Sequence, residues 1–184
     1  MTSKKHNICP VSKADGLEHW IRKLLQNPRR ILKKHVGEGM IALDFGCGPG
    51  FFTIELAKLV GEKGKVVAVD IQPEMLEKLY SKIKDTDLEK RIELVNCKKG
   101  FPGINNKFDF ALAFYVVHET LNQKEFFKSI HSKLKKGSKL FVSEPKHHVS
   151  KEEFEKTIRE AESVGFKLIE KPLILMSRTA VLEK

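Results

Sequence analysis

Apolar residues along the chain fall into segments of two different periods. Leu17, Trp20, Ile21, Leu24 and Leu25 recur at i, i+3, i+4, i+7 and i+8, with Glu18, Arg22 and Lys23 turned away. That spacing predicts an amphipathic helix behind a polar opening segment, 1–14. Asn27-Pro28 has the chemistry of a helix cap followed by a first-turn proline, so a second short helix is expected to run to about His35. From position 40 the pattern alternates. Short apolar or β-branched runs at 40–45, 65–69, 92–95, 108–114 and 139–143 predict strands. Helical spacing fills 51–60, 73–84 and 124–134, with Gly61 and Gly64 closing the first of these and Lys135-Lys136-Gly137 the last. Ser150 and Glu153 have the spacing of a capping box, so a helix is expected from there to about Val164, stopped by Gly165. Two last strands, 167–174 and 177–182, follow.

Strands alternating with helices predict an α/β fold: a mostly parallel sheet of seven strands with helices on both faces. The final two strands break the alternation. A gap of about two residues is too short for a crossover, so they should form a terminal antiparallel hairpin.

The strongest local motif is Asp44-Phe45-Gly46-Cys47-Gly48-Pro49-Gly50, between the first strand and the helix after it. Gly46 and Gly48 allow a sharp turn and close approach of a ligand to the backbone. The spacing is G-x-G-x-G. A dinucleotide-binding loop, G-x-G-x-x-G, would need glycine where Phe51 stands. Asp44, two residues before Gly46, has no use beside a pyrophosphate but suits a cationic amine. Asp70 ends the second strand, 20 residues beyond Gly50, where a carboxylate can accept from both hydroxyls of a ribose.

Composition narrows the setting. The chain has 184 residues, 41% hydrophobic and 32% charged, an ordinary balance for one domain. No apolar run is long enough for a membrane span, and the first ten residues lack the apolar stretch of a secretory signal. Cys9, Cys47 and Cys97 are few, odd in number and widely spaced, so a disulfide framework is not expected and a cytoplasmic location is. The net charge is +10, and residues 1–38 carry nine Lys/Arg against three Asp/Glu. Such a segment can attract nucleic acid or an acidic small molecule, or be a solvated surface.

These motifs resemble those of the class I S-adenosylmethionine-dependent methyltransferases. Leu43-Asp44-Phe45-Gly46-Cys47-Gly48-Pro49-Gly50 is similar to their first motif, Val67-Ala68-Val69-Asp70 to their second and Phe108-Asp109-Phe110-Ala111-Leu112 to their fourth. Leu134-Lys135-Lys136-Gly137-Ser138 resembles the lead into their fifth strand. The style is that of the small-molecule branch, which includes quinone-biosynthesis and arsenite methyltransferases. The resemblance, over roughly residues 27–184, implies a Rossmann-like fold and S-adenosyl-L-methionine as cofactor; the N-terminal helices are expected to form a lid segment, 1–38, before a cofactor-binding domain, 39–184. It implies that Gly46, Cys47, Gly48 and Gly50 line the methionine portion, with Asp44 turned toward it. Asp70 would hold the ribose, Ile71 and Met75 would flank the adenine, and Phe114 would lie beneath the cofactor. Where the family often has an acid for the adenine amine, this chain has Cys97. The adenine would then rely on the Lys98 backbone and on packing.

Two segments bring polar groups to the carboxyl ends of the strands: Tyr115-Val116-Val117-His118-Glu119 and Glu144-Pro145-Lys146-His147-His148. Methyl transfer from a sulfonium needs mainly alignment, plus a base if the acceptor carries a proton. His118 and His148 are the candidates for that base, with Glu119 beside them. Glu144 is a further candidate, or a partner for a surface lysine. His6, Cys9, His118 and His148 would make a metal site if the N-terminus folded over, but their spacing does not support one, and none is expected. A small-molecule acceptor is the leading expectation. An RNA methyltransferase using the basic N-terminal segment is the second, although Ala113-Phe114-Tyr115 is not the Asn/Asp-Pro-Pro-aromatic signature of amino-methylating nucleic-acid enzymes. A non-catalytic S-adenosylmethionine binder and a dinucleotide oxidoreductase complete the alternatives.

Overall fold

The computed structural model describes residues 26–97 and 106–184. The predicted helix around Trp20, most of the 1–38 segment and Lys98 lie outside those residues.

Asn27 caps the first described helix, α1 (Pro28–Leu32): its Oδ1 accepts the Arg30 N–H at 3.1 Å. The alternating elements then follow in the expected order. They are β1 (Ile41–Phe45), α2 (Thr53–Val60), β2 (Lys65–Asp70), α3 (Pro73–Ile83), β3 (Ile92–Asn96) and β4 (Phe108–Phe114). A 3₁₀ turn at Glu89–Arg91 leads into β3, and after another at Val117–Glu119 come α4 (Gln123–Lys133), β5 (Leu134–Pro145), α5 (Lys151–Glu162), β6 (Lys167–Glu170) and β7 (Ser177–Glu183). The capping box forms in both directions: Ser150 Oγ accepts the Glu153 N–H, and Glu153 Oε2 accepts the Ser150 N–H.

The seven strands lie in the order β3-β2-β1-β4-β5-β7-β6. β1 pairs in parallel with both β2 and β4, whereas β7 runs antiparallel between β5 and β6. The chain leaves β1 toward β2 on one side and returns to β4 on the other. That reversal opens a crevice at the carboxyl ends of β1 and β4, where ligands of open α/β sheets bind.

Strand periodicity divides the core into two layers. Leu43, Val67, Val69, Ala111 and Ala113 face Phe127 and Ile130 of α4 and Ile158 of α5. Their neighbours Ala42, Val66, Ala68, Phe110 and Leu112 face Leu32, Leu56 and Leu79 of α1–α3. Strands buried on both faces read as nearly continuous apolar runs, which is why β2 and β4 were legible.

Two boundaries differ most from expectation. β5 begins at Leu134, so the Lys135-Lys136-Gly137 stretch lies inside the strand, with a register irregularity opposite Phe108/Phe110. The last two strands are joined by six residues rather than two, because β6 stops at Glu170. Pro172 has no N–H to continue the ladder, and its carbonyl instead accepts the Thr179 hydroxyl.

Candidate cofactor and active site

The glycine loop is held by the neighbouring strand. The N–H groups of Gly46 and Cys47 both donate to the Val69 carbonyl, at 2.8 and 3.0 Å. Gly46, Gly48 and Gly50 have φ of +73°, +52° and +88°, the left-handed region that disfavours a Cβ. Their surroundings differ. A Cβ on Gly46 would meet Val116 at 2.6 Å, and one on Gly50 would meet Leu79 at 2.3 Å, whereas one on Gly48 would meet nothing within 4 Å. Two of the glycines thus serve packing, and Gly48 faces open space.

Asp44 points from β1 into the base of this loop. It is buried, and its Oδ2 accepts the Thr53 hydroxyl at 2.6 Å. Burial drives its carboxyl up to about 7; the Thr53 hydrogen bond opposes the rise and the charge of Asp70 adds to it. Cys47 is also buried, which pushes its thiol up and keeps it protonated. Asp70 closes the other side. Its Oδ2 accepts the Gly48 N–H at 2.8 Å and its Oδ1 the Gln72 N–H at 2.9 Å. Burial raises its pKa, and these amides hold the rise back. Asn96 was not singled out in the sequence, yet its amide donates to the carbonyls of Asp70 and Ile71 at 3.2 and 3.1 Å and fixes the turn after β2. Cys97 is buried and ties its N–H to the Asp70 carbonyl. Ile71 is 48% exposed at the rim, while Met75 is buried in the first turn of α3. Phe114 packs against Phe52, ring centroids 4.2 Å apart, at the end of β4.

On the β4–β5 side the structure brings together residues that sequence spacing could not. Glu144, at the end of β5, is 1% exposed and pairs with His118 rather than with any lysine among the described residues. Its Oε1 accepts the N–H groups of Val117 and His118 at 2.8 and 3.3 Å. Its Oε2 meets His118 Nδ1. Burial lowers the His118 pKa, but the hydrogen bond and charge of Glu144, with the charge of Glu119, outweigh it and leave the imidazole above its usual value. His148 stacks on His118 with centroids 5.9 Å apart, and His147 lies beside His148. Glu119 sits half-buried in the same 3₁₀ turn.

Tyr115 links this side to α1. It has φ of +64°, a strained conformation for a bulky residue. Its hydroxyl hydrogen-bonds with Ser177 Oγ and accepts from Gln26 Nε2, which also donates to Ser177 at 3.0 Å. Gln26 and Ser177 carry no motif that could have marked them in the sequence. His6 and Cys9 lie outside the described residues. Among the described ones, no three His, Cys, Asp or Glu gather to hold a metal. No helix among them is long and apolar enough to cross a membrane.

Comparison with known proteins bears on the family and the fold. A family model described as "Methyltransferase domain" matches residues 37–173. The ubiquinone/menaquinone biosynthesis C-methyltransferase UbiE of Shewanella sp. (strain W3-18-1) is 29% identical over 136 residues, covering 68% of this chain and 54% of that protein. The chain thus spans about half the length of the curated relatives it matches. A SAM-dependent methyltransferase from Aquifex aeolicus superposes with a TM-score of 0.79 at 27% identity, covering 94% of this chain and 95% of the other. The arsenic(III) methyltransferase CrArsM of Chlamydomonas reinhardtii shares the fold, with a TM-score of 0.62 at 22% identity over 80% of this chain and 64% of its own. The chain belongs to the methyltransferase domain family, whose fold is the Rossmann-like sheet described above and whose implied cofactor is S-adenosyl-L-methionine.

Proposed function

We propose that the protein transfers the methyl group of S-adenosyl-L-methionine to a small-molecule acceptor. The observation that carries this reading is the pairing of Asp44 and Asp70 across a G-x-G-x-G loop at the switch point of the sheet. The residues fit the cofactor. Gly48 leaves open space above the loop, and Asp70, buried beside it, has its oxygens oriented by the Gly48 and Gln72 amides. In this reading Asp70 holds the ribose hydroxyls. Gly46, Cys47, Gly48 and Gly50 line the methionine portion, with Asp44 as the charge nearest its ammonium. Ile71 and Met75 flank the adenine, Cys97 backs it in place of an acid, and Phe114 lies below. When bound, the cofactor supplies an electrophilic methyl on a sulfonium; the protein's task is to orient the acceptor beside His118, Glu119 and His148.

A small acceptor is favoured because the connections between strands that are described in full consist of short helices and turns, with no inserted domain among the described residues. The free thiols of Cys47 and Cys97 suit a reducing compartment such as the cytoplasm.

The test is calorimetry with S-adenosylmethionine and its demethylated product, followed by product formation with a panel of phenols, thiols, amines and arsenite. Binding without turnover of any acceptor favours a non-catalytic binder, and binding of NAD(H) alone overturns the reading. RNA as acceptor would show itself by an affinity that falls steeply with salt.

A further inference from the structure

We propose that Glu144 and His118 form a dyad that takes a proton from the methyl acceptor, so that the acceptor is a neutral O–H or S–H compound, such as a phenol, enol or thiol. This rests on the methyl-transfer reading and narrows it. The buried Glu144 carboxylate serves one short segment with both oxygens: Oε1 receives the backbone N–H groups of Val117 and His118, and Oε2 receives the His118 ring. Holding the 3₁₀ turn requires only Oε1, and a neutral side chain could supply that. The second oxygen does something else. A carboxylate only accepts, so Nδ1 must carry the ring proton, and the lone pair is left on Nε2. The ring is 25% exposed, so its far edge is within reach of a ligand.

The dyad also lies on the reacting side of the molecule. Val116, two residues before His118, abuts Gly46 of the cofactor loop closely enough to exclude a Cβ there. Among the described residues, three titratable groups surround the imidazole: Glu144 from β5, Glu119 from its own turn, and His148, stacked on it from the segment after β5. Both carboxylates favour a base stronger than free histidine.

The step balances without any further reactant. Nε2 takes the proton of X–H while the X lone pair forms the X–CH₃ bond. The S–CH₃ bond breaks, and its electron pair stays on sulfur as a neutral thioether. The charge lost from the sulfonium reappears as imidazolium, paired with Glu144, and the proton then leaves to solvent. Acceptors that react through a lone pair without losing a proton need none of this.

The first test needs no cofactor. Nitrogen-15 NMR of the full chain reads the His118 tautomer and titration. The expected result is the Nδ1–H form above the ring's pKa. In Glu144→Gln, the new amide oxygen can keep the two backbone N–H groups, which turns its NH₂ toward Nδ1. The ring must then flip to the Nε2–H form and titrate at lower pH. A wild-type ring already in the Nε2–H form, or a tautomer unchanged in the variant, overturns the dyad.

The second test is kinetic. With a neutral phenol or thiol, Glu144→Gln and His118→Gln are each expected to lose on the order of 100-fold or more in kcat/KM. The acid limb of the wild-type pH profile should coincide with the His118 titration seen by NMR. With an acceptor acidic enough to be ionised at the assay pH, both losses should shrink at least tenfold. Equal losses with ionised and neutral acceptors, or turnover only of proton-free acceptors, overturn the assignment. Calorimetry separates this from failure of the broader reading, since both variants should bind S-adenosylmethionine as the wild type does, and absence of binding in the wild type would remove the methyl-transfer reading while leaving the NMR result intact.

Discussion

The Gly48 amide donates to Asp70 Oδ2 at 2.8 Å, across 22 positions of sequence. The residue assigned to the ribose therefore also braces the loop assigned to the methionine portion. Asp70→Ala is expected to weaken S-adenosylmethionine binding by about 1–3 kcal/mol, the range for emptying a charged hydrogen-bond site. Asp70→Asn should fare little better, because one of its two amide-facing atoms becomes a donor opposed to an N–H. Calorimetric affinities unchanged in both variants would mean that the ribose is held elsewhere.

If Asp44 is the charge nearest the cofactor's ammonium, as proposed, cofactor binding should be linked to protons. Its folded pKa of about 7 lies above its ordinary value of 3.8. The fold thus favours the protonated form, and the stability this gives is complete below about pH 3.8 and lost as pH rises through 7. An ammonium beside Asp44 would favour the carboxylate. Binding near pH 6 should therefore release a proton, seen as a dependence of calorimetric enthalpy on buffer ionisation heat. The release should fade by about pH 9 and vanish in Asp44→Asn. The same variant should be more stable than the wild type at pH 8 without cofactor and bind the cofactor more weakly.

Gly48 and Gly50 should respond differently to the same change. An alanine at position 50 meets buried Leu79 at 2.3 Å in a left-handed backbone, so Gly50→Ala should cost about 3 kcal/mol in urea unfolding. At position 48 only the backbone strain applies, about 1 kcal/mol. Gly48→Ala should nonetheless reduce cofactor affinity, because its methyl would occupy the open space above the loop. A Gly48→Ala protein with normal affinity would argue that the cofactor does not approach that amide.

Tyr115→Phe tests the link between α1 and the sheet. Removing the hydroxyl takes one partner from Gln26 and one from Ser177, both buried, and should cost about 1–2 kcal/mol by urea denaturation. No measurable loss would mean that water replaces the hydroxyl.

The parts of the fold legible in the sequence are those set by local chemistry. Ser150 and Glu153 make their capping box because both groups lie within one helical turn, and the apolar runs of β2 and β4 report burial on both faces. The glycine loop and Asp70 were readable because left-handed glycines and a strand-ending acid stand at fixed spacings along one βαβ unit, where the Gly48 N–H reaches Asp70. Less local features were not readable. Leu134 opens a strand through pairing with Phe108, a partner 26 residues away, rather than through any preference of Lys135-Lys136-Gly137. Glu144 sits 26 residues from His118, and only the packing of β5 beside β4 brings them together. The positive φ of Tyr115 has no residue-type signature, since a strained tyrosine looks like any other.

Because Val116 fills the space that a Cβ on Gly46 would need, the glycine loop and the loop after β4 are cut to one another's shape. Neither can drift alone: a larger residue at 46 demands a smaller one at 116. Anyone grafting the loop after β4 from a related protein onto this sheet would have to carry that contact along with it.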